Sequence, residues 1–248
     1  MSNKSAASPP SSLLLPALAL VAALGLGGVL LLGGDADGDG QPERPTTQDE
    51  DPAEPQGASD RREVLEMLER RQEGDPLALG DVDAPVVMIE WADVQCPFCG
   101  SFARDTKPAL MDRYVEAGIL RIEWRDFPVL GPESQTAALA GRAAAEQDAF
   151  WELHDEIYAE DRDRNAGALT EDALIAMADD LGLDADRFAD DLGDATHEQD
   201  IATDLEFAQQ LGITGTPAFL INGQLLIGGQ PTETFARAVE QAAEEAGA

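Results

Sequence analysis

The chain has 248 residues, 44% of them hydrophobic, enough for one domain of about 180 residues plus additional segments. Its 49 acidic residues against 16 basic ones give a net charge of −33, and so acidic a surface repels nucleic acid and anionic membranes. The acids are spread along the chain, which fits a solvated, self-repelling surface better than a docking patch for cationic partners.

Residues 1–12 are polar and carry one lysine, Lys4. Residues 13–33 hold no charged or strongly polar side chain; as a helix they would span roughly 31 Å, close to the thickness of a bilayer's hydrocarbon core. Lys4 and the amino terminus precede the run and Asp35, Asp37 and Asp39 follow it. The positive-inside tendency then leaves the amino end in the cytoplasm and exports the bulk of the chain. The run is longer than the h-region of a signal peptide and lacks a clear small-x-small cleavage site, so an uncleaved anchor is favoured over a cleaved signal. Residues 34–59, rich in Asp, Glu, Pro, Gly and Gln, read as a disordered spacer. Within it Asp35, Asp37, Asp39 and Gly40 imitate the start of a calcium loop. Thr46 stands where a bidentate Glu is needed and Pro42 interrupts the loop, so a linker is the better reading.

The folded domain is expected over 60–248. Asp60 and Glu63 form a candidate capping box for a short helix carrying Val64, Leu65 and Leu68. Val86, Val87, Met88 and Ile89 are a continuous apolar run, the mark of a strand covered on both faces. Cys96-Pro97-Phe98-Cys99 then opens a helix whose inward face is Phe102, Leu110, Met111, Tyr114 and Val115, kinked but not ended by Pro108 and capped by Gly118. Residues 120–126 alternate apolar and charged, and read as a second strand parallel to the first across a βαβ crossover. Residues 132–212 are helical and Ala-rich, with helices expected over 133–146, 149–159, 171–181, 185–192 and 197–211. Phe150, Trp151, His154, Ile157 and Tyr158 make a stripe that suits core packing more than a substrate groove, with His154 a structural residue rather than a proton carrier. Strands over 217–221 and 224–227 flank Asn222-Gly223, a strong hairpin turn, and Pro231 opens the last helix.

The two cysteines are the only ones in the chain. Zinc would need four ligands, and His154 and His197 lie far from the pair and from each other, which argues against a metal site. A structural disulfide closing so small a ring would constrain the unfolded chain little. A reactive pair remains. At the first turn of a helix Cys96 meets unpaired N–H groups and a positive dipole end, so its thiolate should form below the usual pH of about 8.5.

Cys96-Pro97-Phe98-Cys99 after the first strand, Thr216-Pro217 before the hairpin, and the helical block between them resemble the thioredoxin superfamily and, within it, the DsbA-like thiol–disulfide oxidoreductases. The resemblance covers about residues 77–246. It implies an α/β thioredoxin-like fold with an inserted all-helical subdomain at about 132–212, here preceded by an N-terminal transmembrane helix. It implies a cis bond at Pro217 lying against the sulfurs, with Thr216 offering backbone hydrogen bonds to a substrate peptide beside Pro97 and Phe98. It places an acid, Glu90, near the inner cysteine, where it would shuttle the Cys99 proton or merely pair with a cation. Phe98 departs from the family, which often carries His there, and removes one cationic neighbour of Cys96. The implied enzyme needs no cofactor beyond its own disulfide. Its implied partners are exported proteins with cysteines and a quinone-linked membrane reoxidant of the DsbB or vitamin-K-epoxide-reductase type. A reductase or isomerase kept reduced by a membrane electron donor, and a non-redox peptide-binding module, are the rival readings.

Overall fold

Strand β2 (Val86–Ala92) is the spine of the molecule, and every residue in it is buried. The computed structural model describes residues 67–248. The expected anchor at 13–33, the spacer at 34–59 and the capping box at Asp60 and Glu63 lie outside them. Among the described residues no helix is long and apolar enough to cross a membrane.

β2 pairs in parallel with β3 (Leu120–Asp126), Val86 opposite Leu120 and Ala92 opposite Asp126. On its other side it pairs antiparallel with β4 (Ala218–Ile221), which turns back through Asn222-Gly223 into β5 (Gln224–Ile227). Both turn residues have positive φ, 39° and 89°, as a two-residue hairpin turn requires. A two-residue strand, β1 (Ala78–Leu79), lies antiparallel on the outer edge of β3, which completes the order β1-β3-β2-β4-β5. So short a strand carries no alternation for a sequence pattern to show.

Helix α1 covers residues 97–115 and turns twice through a wider, π-helical stretch, Phe102–Thr106 and Met111–Val115. The first stretch directly precedes Pro108, so the helix adjusts its winding around the missing N–H and continues. α1 and the last helix, α7 (Thr232–Ala246), pack on one face of the sheet. There Phe102, Phe219 and Phe235 meet with ring centroids 4.5–5.1 Å apart; burying each ring contributes roughly 1.5–3 kcal/mol. Pro231 stands just ahead of α7 as its cap rather than inside it.

Between β3 and β4 run α2 (Pro132–Ala145), α3 (Phe150–Tyr158), α4 (Glu171–Asp180), α5 (Ala185–Asp191) and α6 (Ala195–Gln210). The first four close around a core that includes Ala140, Leu153, Leu174 and Phe188. The end of α6 covers the second face of the sheet through Ala208, next to Val87, Ile89 and Trp91.

The charged positions of β3 are buried: Arg121, Glu123 and Arg125 are 3%, 0% and 5% accessible. Residues 68–77 and α6 lie across them. Glu123 accepts the backbone N–H groups of Arg70 (2.9 Å) and Arg71 (3.0 Å) and is bridged by Arg121 and Arg125. Arg142 of α2 joins Asp126 (2.7 Å) to Asp204 of α6 (2.5 Å). Charges can be buried here because each is paired and hydrogen-bonded.

Candidate active site

β2 ends at Ala92, and a tight turn carries the chain from its carboxyl end into α1. Cys96 caps the helix in an extended conformation (φ −82°, ψ 118°), with Pro97 at the first helical position, where a missing N–H costs nothing. The N–H of Cys96 donates to the carbonyl of Asp93 (2.9 Å), and the carbonyl of Cys96 accepts from Gly100 (3.0 Å). Both cysteines are free thiols, Cys99 fully buried and Cys96 6% accessible. The loop before β4 meets them: the Cys96 thiol donates to the carbonyl of Thr216 (3.3 Å), and the Thr216–Pro217 peptide bond is cis. Pro97 is exposed and Phe98 is 63% accessible, its base resting against Gly229. The structure thus gathers Pro97, Phe98, Thr216 and Pro217 around the outer sulfur.

The two thiols differ sharply. Cys96 is brought down from 9.0 to about 6, first by a hydrogen bond from the Cys99 thiol, then by the Thr216 side chain and the backbone N–H groups of Cys99 and Phe98, with burial opposing. The neighbouring sulfur thus acts together with the N–H groups of the helix end that the sequence pointed to. Burial pushes Cys99 well above the ordinary thiol range. Around neutral pH the outer sulfur is an exchangeable thiolate and the inner one holds its proton. Glu90, 1% accessible, is raised by burial to about 8 against the pull of Lys107, and one of its carboxyl oxygens has no hydrogen-bond partner. Its negative charge also raises Cys99.

The α3 stripe packs inward. His154 lies between Trp124 (5.2 Å), Trp151 (5.0 Å) and Tyr158 (4.8 Å), ring centre to ring centre, and burial lowers it to about 4. Its Nδ1 meets Asp155 (2.8 Å) and the Lys107 ammonium (3.2 Å). At its C-terminal end the stripe borders the site, because Ile157 and Tyr158 help line a cleft beside Cys96 and Pro97. Among the described residues no group of three or more His, Cys, Asp or Glu is placed to hold a metal ion.

The sequence reading missed Lys107 and Asp93. Lys107 sits on the buried side of α1, paired with Asp155 (2.5 Å) and 4.8 Å from the centre of the Trp151 ring. A helical periodicity count would have placed it inward. Asp93 belongs to an irregular turn, where no pattern marks it.

Known proteins resemble this chain in sequence and in fold. A family model described as Thioredoxin matches residues 72–241. The Na(+)/H(+) antiporter NhaA 3 of Salinispora tropica is 38% identical over 166 residues, which cover 66% of this chain and 24% of that protein. This chain therefore spans about a quarter of the length of the first curated relatives it matches. A probable disulfide bond formation protein D of Bacillus cereus is 32% identical over 152 residues, 60% of this chain and 70% of its own. Among solved structures, oxidised BdbD of Bacillus subtilis superposes with a TM-score of 0.63 at 23% identity, over 69% of this chain and 94% of that one.

Proposed function

The chain belongs to the thioredoxin family, and from that membership we propose that it is a thiol–disulfide oxidoreductase that donates the Cys96–Cys99 disulfide to cysteines of exported proteins. The observation that carries the reading is the split between the two thiols, Cys96 near 6 and Cys99 far above it. A sulfur that forms a stable thiolate is a good leaving group, and its stability favours the reduced pair, which makes the oxidised pair a strong oxidant.

A substrate thiolate attacks Cys96 Sγ. The S–S bond breaks, its electron pair goes to Cys99, and Cys99 takes up a proton, for which the buried carboxyl of Glu90 is the nearby source. A second substrate thiolate then attacks the substrate sulfur of the mixed disulfide, and Cys96 leaves as the thiolate. Two electrons have passed to the pair and the substrate holds a new disulfide. While Cys96 is bonded to Cys99, the Thr216 carbonyl is free to accept a backbone N–H of the substrate, with Pro217, Pro97 and Phe98 as the surrounding surface. Reoxidation returns two electrons to a quinone-linked membrane partner. The apolar run at 13–33 would hold the domain at the outer face of the membrane.

The test uses the oxidised protein and a reduced, unfolded polypeptide with two cysteines. The polypeptide should gain its disulfide as the protein loses its own. Cys96→Ser should abolish transfer, and Cys99→Ser, which has no disulfide of its own to give, should accumulate a mixed disulfide at Cys96 when the polypeptide is supplied in its oxidised form. Undiminished refolding by Cys96→Ser would replace this reading with non-redox peptide binding. A pair found reduced in intact cells would reverse the direction of electron flow.

A further inference from the structure

We propose that Asp93 is the positioning residue for Cys96: its side chain clamps the turn that presents the thiol to the loop that opens the helical block. The inference rests on the reading of Cys96 as the attacking sulfur and deepens it. Asp93 is 2% accessible. One carboxyl oxygen accepts the N–H groups of Val129 (2.8 Å) and Leu130 (2.9 Å). The other accepts the Gln95 N–H (2.8 Å) and the Ser134 hydroxyl (2.7 Å). Its carbonyl accepts the Cys96 N–H (2.9 Å) and the Tyr158 hydroxyl (3.1 Å). Six donors from β2's turn, the loop after β3, α2 and α3 thus converge on one residue three positions before the nucleophile.

Gln95 tightens the same grip. Its amide donates to Ser134 (2.8 Å) and accepts from the Asn165 N–H (2.7 Å). The turn between β2 and α1 is therefore tied to the inserted helices at both of its polar positions. The contacts that favour the Cys96 thiolate, from Cys99, Thr216 and the first backbone N–H groups of α1, are short-ranged and depend on where that turn puts Sγ.

Direct electrostatics gives the opposite sign, which makes the proposal decidable. Asp93 is an anion beside another anion, so its charge alone disfavours the thiolate, and removing it would lower the Cys96 pKa. Loss of positioning raises it. The experiment measures the pH dependence of Cys96 alkylation in the reduced full-length protein. Asp93→Ala should move the midpoint upward and cut the rate at pH 5 roughly tenfold, the equivalent of one pH unit. Asp93→Asn should move it less. The amide oxygen can keep Val129 and Leu130 and the amide nitrogen can donate to Ser134, leaving only the Gln95 N–H unpaired. If Asp93→Ala fails to fold, Ser134→Ala removes one of the four side-chain bonds and should give a smaller shift in the same direction. A midpoint that stays in place in Asp93→Asn and Ser134→Ala, or that falls, overturns the proposal, whatever happens to stability. An ordinary thiol titration in the unaltered protein would instead overturn the reading of Cys96 itself.

Discussion

The Cys96 thiol lies 3.3 Å from the carbonyl oxygen of Thr216, a residue 120 positions further along the chain. Neither residue could hold this relation alone. β2 and β4 are hydrogen-bonded neighbours, and that pairing carries the loop before β4 up to the start of α1. Cys99 approaches the same sulfur from within the helix, so the outer sulfur is surrounded by donors and acceptors brought from two ends of the fold.

Removing those neighbours one at a time should rank them. Cys99→Ala takes away the largest contribution to the low Cys96 pKa, and Thr216→Val takes away a smaller one. Both variants should shift the alkylation midpoint of Cys96 upward, Cys99→Ala by more. Equal shifts, or none from Cys99→Ala, would show that the helix end dominates after all.

Glu90 should make the protein less stable in alkali. Its pKa rises from 4.5 to about 8 in the fold, so the folded state holds a proton that the unfolded state gives up. The contribution is complete below about pH 4.5 and is lost as pH climbs through 8, on the order of 5 kcal/mol in total. Glu90→Gln mimics the protonated acid and should be clearly more stable than the parent at pH 9 and near-equal at pH 4, by urea unfolding of the oxidised protein. Parallel stability profiles would remove the buried acid from the account. The same variant has no proton to give Cys99, so the Cys99 thiolate persists and should return a mixed disulfide to the Cys96–Cys99 bond faster.

Glu123 should behave in the opposite sense. Burial pushes its pKa up, but the Arg70 and Arg71 N–H groups with Arg121 and Arg125 prevail and hold it near 2, below the ordinary 4.5. Its contribution is present above pH 4.5 and is lost as pH falls towards 2. Glu123→Ala takes the nearest carboxylate from two buried arginines, leaving Arg121 with Asp75 at 3.9 Å and Arg125 with Asp204 at 3.6 Å, and should cost about 3 kcal/mol at pH 7. A loss below about 1 kcal/mol would mean that water replaces the carboxylate without penalty.

Phe98 offers a gain-of-function test. It is 63% accessible, so Phe98→His should fold unchanged. A protonated imidazole next to the thiolate should lower the Cys96 pKa further and make the pair more oxidising by about 30 mV for each pH unit. An unchanged potential would show that this position faces substrate only.

Much of this was legible from local patterns. Val86 to Ile89 announced a strand buried on both faces, and Asn222-Gly223 announced the hairpin. Each depends on neighbours close in sequence. The burial of Arg121, Glu123 and Arg125 was not legible, because alternation reports which face a side chain takes and not what lies across it. Asp93 was hidden for the same reason: Val129, Leu130 and Ser134 are 36, 37 and 41 positions away. The expected anchor and spacer fall outside the described residues.

The account stands most directly on the equilibrium of the Cys96–Cys99 pair with a glutathione redox buffer. A thiolate that forms near pH 6 instead of 9.0 stabilises the reduced pair by roughly 4 kcal/mol, or about 90 mV, above pH 9, by about 1.4 kcal/mol, or about 30 mV, at pH 7, and hardly at all below pH 6. The account predicts a potential at pH 7 above about −200 mV, in the range of disulfide donors. A potential near or below about −270 mV, in the range of thiol reductants, would contradict it.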